Sequence, residues 1–131
     1  EAGCEPAPIR TRSLGRRHPV VAASHSHRGE DLRHFLSAIG DYKLVHVGGA
    51  LKSCLVAEGK ADLYVRLGPT SEWDTAAAQC IVEEAGGRLT DTALREIRYN
   101  TKESLLNPHF FVFGSKSRDW SRTLSRSHRS R

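Results

Sequence analysis

The chain has 131 residues, of which 38% are hydrophobic, and this is enough apolar material for one modest core. Its longest apolar runs are a few residues long, far below the ~20 residues that a bilayer-spanning helix needs. The chain also opens without the pattern of a signal peptide. We therefore expect a small single domain with no stable transmembrane anchor.

The formal charge of +5 is concentrated in the C-terminal tail, residues 115–131, which holds six basic residues against Asp119. The rest of the chain consequently has no net charge. A folded nucleic-acid-binding domain carries its basic patch on the globular surface, so we expect no specific nucleic-acid partner. The Ser/Arg-rich composition predicts a disordered tail, with weak polyanion binding left open.

The three cysteines, Cys4, Cys54 and Cys80, are widely spaced and include no Cys-x-x-Cys pair. Neither a disulfide framework nor a zinc site is indicated. A reducing cytoplasm fits this pattern, with peripheral association with the inner membrane left open.

Strand and helix patterns alternate through residues 19–114, as in a layered α/β domain. Residues 1–18 show no such pattern and are expected to be an irregular N-terminal segment. The predicted strands are 20–24, 44–47, 62–67, 88–90 and 110–113, and the predicted helices are 29–39, 51–58 and 73–85.

The segment 68–78, Gly-Pro-Thr-Ser-Glu-Trp-Asp-Thr-Ala-Ala-Ala, places one carboxylate directly after a turn, in the first turn of a helix. Pro69 favours the turn, and Thr70 or Ser71 can cap the helix. The helix macrodipole favours an ionised Asp74 at this position. Asp74 is therefore a candidate cation ligand, although an Asp there also serves as a simple cap.

Three more polar residues lie at predicted strand or helix ends, where open α/β sheets bind ligands. Lys52 begins a helix after a glycine pair, Arg66 ends a strand, and His27 follows the first strand. Each also has an ordinary alternative as an exposed charge or a lone surface histidine. His25 and His27 share a strand face and could form a metal pair, but no acidic or cysteine partner accompanies them.

Segment 68–78, followed by Glu-Glu-Ala-Gly-Gly at 83–87, resembles the second signature of the inositol monophosphatase superfamily. Four further segments resemble its branch of 3'(2'),5'-bisphosphate nucleotidases of the CysQ type, and together they cover residues 19–114. These segments are 19–27, ending in Ser-His-Ser-His; 48–59, with Leu-Lys at a helix start; 64–70, with Tyr-x-Arg; and 103–108, Glu-Ser-Leu-Leu-Asn-Pro.

The resemblance implies the C-terminal part of an αβαβα sandwich with a mostly parallel sheet. It implies Mg²⁺-dependent removal of a phosphate from adenosine 3',5'-bisphosphate to leave AMP. Asp74 would be a catalytic metal ligand beside the substrate phosphate, and Lys52, Arg66 and His27 would contact the nucleotide. The branch has a serine three residues before the lysine, where this chain has Gly49.

The superfamily's first half carries a Glu-Glu pair and an Asp-Pro-Ile/Leu-Asp-Gly-Thr loop, which supply most metal ligands. This chain has no Asp-Gly dipeptide, and its one Glu-Glu pair, Glu83-Glu84, lies within the helix after Asp74. It also has no Met and begins at Glu1. We therefore expect the C-terminal half of a longer enzyme, with the N-terminal half as its partner and with little or no turnover by this chain alone.

Two other function classes stay open at this point. The same fold could act on inositol phosphates or fructose bisphosphate, although the Leu-Lys and Tyr-x-Arg segments favour a nucleotide. The chain could also be a non-catalytic module, either a decayed half-enzyme or a polyanion binder that acts through its tail.

Overall fold

A computed structural model describes residues 3–24, 30–114 and 120, and within them strands and helices alternate as the sequence predicts. The strands are β1 (Val20–Ala23), β2 (Lys43–His46), β3 (Leu63–Arg66), β4 (Gly87–Asp91) and β5 (Phe110–Gly114), and the helices are α1 (Glu30–Ser37), α2 (Leu51–Ala57) and α3 (Glu72–Glu84). The predicted order and types are confirmed, with ends shifted by two residues at most.

The five strands form one sheet in the order β2-β1-β3-β5-β4. β1 pairs in parallel with β2 and β3, whereas β5 is antiparallel to both β3 and β4. Four strands thus share one direction and β5 opposes them, so the expected α/β class is confirmed and the sheet is mostly but not wholly parallel. Residues 92–109 contain no helix that could serve as a crossover, and a parallel β4–β5 pair would need one.

The sheet separates two apolar clusters, and strand alternation decides which side each residue joins. On β3, Leu63 and Val65 join Phe35 and Leu36 of α1 on one face. Tyr64 joins the opposite cluster, which contains residues of α2 and α3. The molecule is therefore layered, with α1 on one face of the sheet and the α2–α3 pair on the other.

Residues 3–18 contain no strand or helix, and part of this segment packs onto the domain. Leu14 is buried, and the Thr11 amide donates a hydrogen bond to the Ala85 carbonyl at 3.0 Å. Arg12 forms two hydrogen bonds with the carboxylate of Asp62, at 3.0 and 2.8 Å. Asp62 also accepts the Val20 amide at 2.8 Å, so one buried carboxylate joins the N-terminal segment, β1 and the start of β3.

Trp120 is 3% exposed and packs in the same cluster as Leu14. The sequence places this residue in the tail that is predicted to be disordered, because Ser and Arg dominate its surroundings. An indole buries a large apolar area, which favours its packing into a core even within a polar stretch. The other tail residues lie outside the described part, and the two boundaries between the segments 1–18, 19–114 and 115–131 stay predictions. No helix among the described residues is long and apolar enough to cross a membrane.

We expect Asp62→Ala to lower the free energy of unfolding by about 2 kcal/mol, because it removes a buried carboxylate that accepts hydrogen bonds from the partly exposed Arg12 side chain and from the Val20 amide. Chemical denaturation monitored by circular dichroism measures this. Glu58→Ala is the control, since the Glu58–Lys60 pair is exposed and its loss should change stability by less than about 0.5 kcal/mol. A change for Asp62→Ala no larger than that of the control would contradict this role.

Candidate active site

A cleft of about 460 Å³ lies where β1 and β3 end and where α2 and α3 begin. Lys52, Arg66 and Asp74 all line it. Parallel strands bring their carboxyl ends, and the helices that follow, to one edge of a sheet. Three of the four residues singled out in the sequence therefore meet in one place, whereas His27 and its neighbour His25 lie outside the described residues.

Asp74 is exposed in the first turn of α3, and its Oδ2 accepts the Ser71 amide at 2.9 Å. The Asp74 amide in turn donates to the Ser71 carbonyl at 2.9 Å. The capping role considered from the sequence is thus present. The hydrogen bond from Ser71 orients the carboxylate at the cleft wall through Oδ2. A carboxylate has two oxygens, so the other oxygen can bind a cation.

Lys52 is 2% exposed, so the alternative of an exposed, solvated lysine is wrong. Its Nζ donates to the Val47 carbonyl at 3.2 Å and lies 5.2 Å from the centroid of the Tyr64 ring. Burial lowers the pKa of the Lys52 ammonium, and the charge of Arg66 lowers it further. The domain therefore holds a desolvated cation at the cleft.

Arg66 is half-buried at the end of β3, and its Nη2 donates a long hydrogen bond of 3.4 Å to the Pro69 carbonyl. Its Nε is buried and has no hydrogen-bond partner. Buried donors are almost always paired in folded proteins, and guanidinium groups bind phosphate and carboxylate oxygens well. The unpartnered donor and the Lys52 ammonium make the cleft suitable for an anion.

Among the described residues, Asp74 is the one carboxylate that lines the cleft. No group of three or more His, Cys, Asp or Glu side chains in residues 3–24, 30–114 and 120 could hold a metal ion. Asp74 offers carboxylate oxygen, the ligand type that Mg²⁺ prefers, and Mg²⁺ commonly keeps several waters. The donor set therefore fits one protein ligand of a Mg²⁺ site that other carboxylates would complete.

Sequence reasoning missed the side chains that fix the start of α3. The side-chain amide nitrogen of Asn107, Nδ2, donates to the Thr70 hydroxyl at 3.2 Å, the Ser71 carbonyl at 2.7 Å and the Thr75 hydroxyl at 2.9 Å. Lys102 donates to the buried carboxylate of Glu72 at 3.3 Å. The partners are 30 to 37 residues apart, so local patterns carry no signal of the pairing, although the resemblance includes segment 103–108.

Gly49, at the position where the resemblance implies a serine, has a φ of 64°. An L-residue in this left-handed conformation is strained. A Cβ there would have no atom within 4 Å, so open space rather than crowding surrounds the position. The missing hydroxyl is therefore accompanied by a loop conformation that glycine favours.

The fold and this cleft define the class of protein. The model of the "Inositol monophosphatase family" matches residues 3–123, and the chain belongs to that family. Among curated relatives, the 3'(2'),5'-bisphosphate nucleotidase CysQ of Salmonella typhimurium is 45% identical over 96 residues, which are 73% of this chain and 39% of the relative. The CysQ of Haemophilus influenzae is 43% identical over 101 residues, 76% of this chain and 38% of the relative.

Solved structures agree in fold. The crystal structure of CysQ from Bacteroides thetaiotaomicron matches 76% of this chain and 38% of its own, with 41% identity and a TM-score of 0.70. Staphylococcal IMPase-II matches 95% of this chain and half of its own with a TM-score of 0.74, but at 18% identity it supports the fold alone. The chain spans about two fifths of the length of the curated relatives it matches.

We expect Lys52→Met to stabilise the chain at neutral pH, because it removes a buried charge and keeps a side chain of similar length. The pKa of Lys52 is lower in the folded chain than in the unfolded one, so the unfolded state binds more protons between the two values. The stability of the wild-type chain should thus rise with pH in that alkaline range, and the gap to the variant should shrink. Denaturation at a series of pH values measures this, and a gap independent of pH would contradict it.

Asn107→Leu should lower the free energy of unfolding by about 2 kcal/mol, because it removes the side-chain amide that donates to the Ser71 carbonyl and to the Thr70 and Thr75 hydroxyls. Urea denaturation gives the value. Glu103→Gln, an exposed change in the same segment, is the control and should have almost no effect. Equal stability of the two variants would show that Asn107 does not hold the start of α3.

Proposed function

We propose that this chain supplies the nucleotide-binding side and one metal ligand of a Mg²⁺-dependent 3'(2'),5'-bisphosphate nucleotidase. The substrate is adenosine 3',5'-bisphosphate, and the products are AMP and phosphate. The observation that carries the proposal is the convergence of Lys52, Arg66 and Asp74 on one cleft. Two cations suit a doubly phosphorylated nucleotide, and one carboxylate suits a metal ion that bridges to phosphate.

The choice of a nucleotide over an inositol or sugar phosphate rests on the relatives. The CysQ proteins of Salmonella typhimurium and Bacteroides thetaiotaomicron are 41 to 45% identical to this chain. Two inositol monophosphatases among the structural neighbours, that of Zymomonas mobilis and the staphylococcal IMPase-II, are 25% and 18% identical. The side chains of this chain thus follow the nucleotidase branch more closely.

In the proposed reaction a water oxygen attacks the 3'-phosphorus, the bond from phosphorus to the ribose 3'-oxygen breaks, and that oxygen takes a proton. Lys52 and Arg66 bind phosphate oxygens and orient the nucleotide, since a guanidinium can form two parallel hydrogen bonds with a phosphate. Asp74 holds Mg²⁺, and His27 contacts the nucleotide. Bound Mg²⁺ supplies a water of lowered pKa and neutralises developing charge on phosphate oxygens.

The proposal includes a partner. Asp74 is a single carboxylate, and the described residues hold no cluster that would complete a metal site. The other ligands and the base that activates the water would come from the N-terminal half of a family-length enzyme. This chain alone should accordingly bind nucleotide and show little or no turnover.

We expect no phosphate release from adenosine 3',5'-bisphosphate and Mg²⁺ by this chain alone, and release on addition of the part of the Salmonella typhimurium CysQ that the match leaves uncovered. Asp74→Asn should reduce the activity of the mixture by at least about a hundredfold, because the amide keeps the shape of the side chain and loses the charge that binds the metal. A phosphate assay over a range of Mg²⁺ concentrations measures both results.

Glu84→Gln is the matched control, since it also removes one exposed carboxylate from α3 and lies far along the helix from the cleft. It should leave the activity of the mixture unchanged. Turnover by this chain alone would refute the requirement for outside carboxylates. Faster release from an inositol phosphate or fructose 1,6-bisphosphate than from the nucleotide would move the substrate to the other branch of the family.

A further inference from the structure

Lys52 is held at the cleft by two neighbours that carry no formal charge. Its Nζ donates to the Val47 carbonyl at 3.2 Å and faces the Tyr64 ring at 5.2 Å from the centroid. No ion pair of Lys52 with a carboxylate occurs among the described residues. A buried ammonium needs favourable contacts to offset its loss of hydration. Within the described residues, these two contacts provide them.

Tyr64 is itself fixed in place. It is 6% exposed, lies on β3 between its partners Ala22 and Val112, and also lines the cleft. Its ring meets Phe110 edge-on, with centroids 5.6 Å apart and an interplanar angle of 88°. Central strand pairing and this aromatic contact leave the ring little freedom to turn away from Lys52.

We propose that Tyr64 is a positioning residue, whose ring face holds the Lys52 ammonium at the cleft floor so that it can bind an anionic group of the ligand. This inference rests on the proposed function, in which Lys52 contacts a phosphorylated nucleotide. Tyr64 belongs to the Tyr-x-Arg segment, and its ring acts through Lys52 rather than on the ligand.

The physical advantage of a ring over a carboxylate is that it attracts the cation without neutralising it. The ring quadrupole presents a negative face to the ammonium. A carboxylate in the same place would compete with phosphate for Lys52 and would add repulsion of its own. The cleft therefore keeps two net positive groups, Lys52 and Arg66, available for an anion.

The hydroxyl of Tyr64 interacts with another residue of the cleft. Burial raises the pKa of the Tyr64 hydroxyl, and the charge of Arg66 and a hydrogen bond with its side chain oppose that rise. A neutral phenol keeps the ring uncharged at physiological pH. The interaction with Lys52 thus belongs to the ring, and a phenylalanine should reproduce it.

The test uses the full 131-residue chain and isothermal titration with AMP, and with inorganic phosphate as a second probe. Tyr64→Leu should weaken AMP binding about tenfold, because a desolvated cation–π contact of this kind is lost. Tyr64→Phe should restore most of the affinity, since it keeps the ring. The ring-current shift of the Lys52 side-chain protons, measured by NMR, should be present in the wild-type chain and in Tyr64→Phe and absent in Tyr64→Leu.

Val65→Ala is the control, because Val65 is the next residue on β3 and packs in the cluster on the opposite face. It should lower stability and leave the affinity for AMP unchanged. Equal AMP affinity for Tyr64→Leu and the wild-type chain would overturn the positioning role alone. Absence of anion binding by the wild-type chain, with the ring-current shift present, would overturn the proposed function and with it the purpose given to Tyr64.

Discussion

The alternation of side chains along β3 is the constraint on which both the core and the cleft depend. Successive residues of a strand point to opposite faces, so Leu63 and Val65 enter one apolar cluster and Tyr64 enters the other. The same alternation places Tyr64 under Lys52, and the strand then ends at Arg66 beside the turn that leads into α3. A shift of register by one residue would exchange the two faces of the strand. It would remove both the contact of Lys52 with the Tyr64 ring and the packing of the core.

The polar residues of the cleft are positioned by contacts that reach across the fold. The Asp62 carboxylate joins the N-terminal segment to the start of β1, and Asp62 itself directly precedes β3. β1 and β3 are the two strands that end at the cleft. Asn107 holds the turn before α3 from a segment more than 30 residues away. Buried hydrogen bonds of this kind are costly to leave unmade, so they favour one arrangement over alternatives. The cleft is therefore supported by residues that never line it.

Most of the fold and three of the candidate site residues were predictable because their signals are local. Alternating apolar runs marked the strands, and the rule that ligands bind at the carboxyl ends of parallel strands brought Lys52, Arg66 and Asp74 together. The unpredicted features depend on pairs of residues distant in sequence. Nothing near Asp62 indicates that Arg12 will reach it, and nothing near Trp120 indicates that its indole enters the core. The direction of β5 likewise depends on the absence of a crossover helix after β4.

The charges at the cleft favour the binding of an anion over the binding of a divalent cation. Lys52 and Arg66 provide two cations, one buried and one with an unpartnered donor, whereas Asp74 provides one carboxylate. An anion meets a preformed environment here, because the domain has already desolvated Lys52 during folding. A divalent cation meets one protein oxygen ligand and two like charges, so its affinity should depend on phosphate oxygens already bound or on carboxylates from elsewhere.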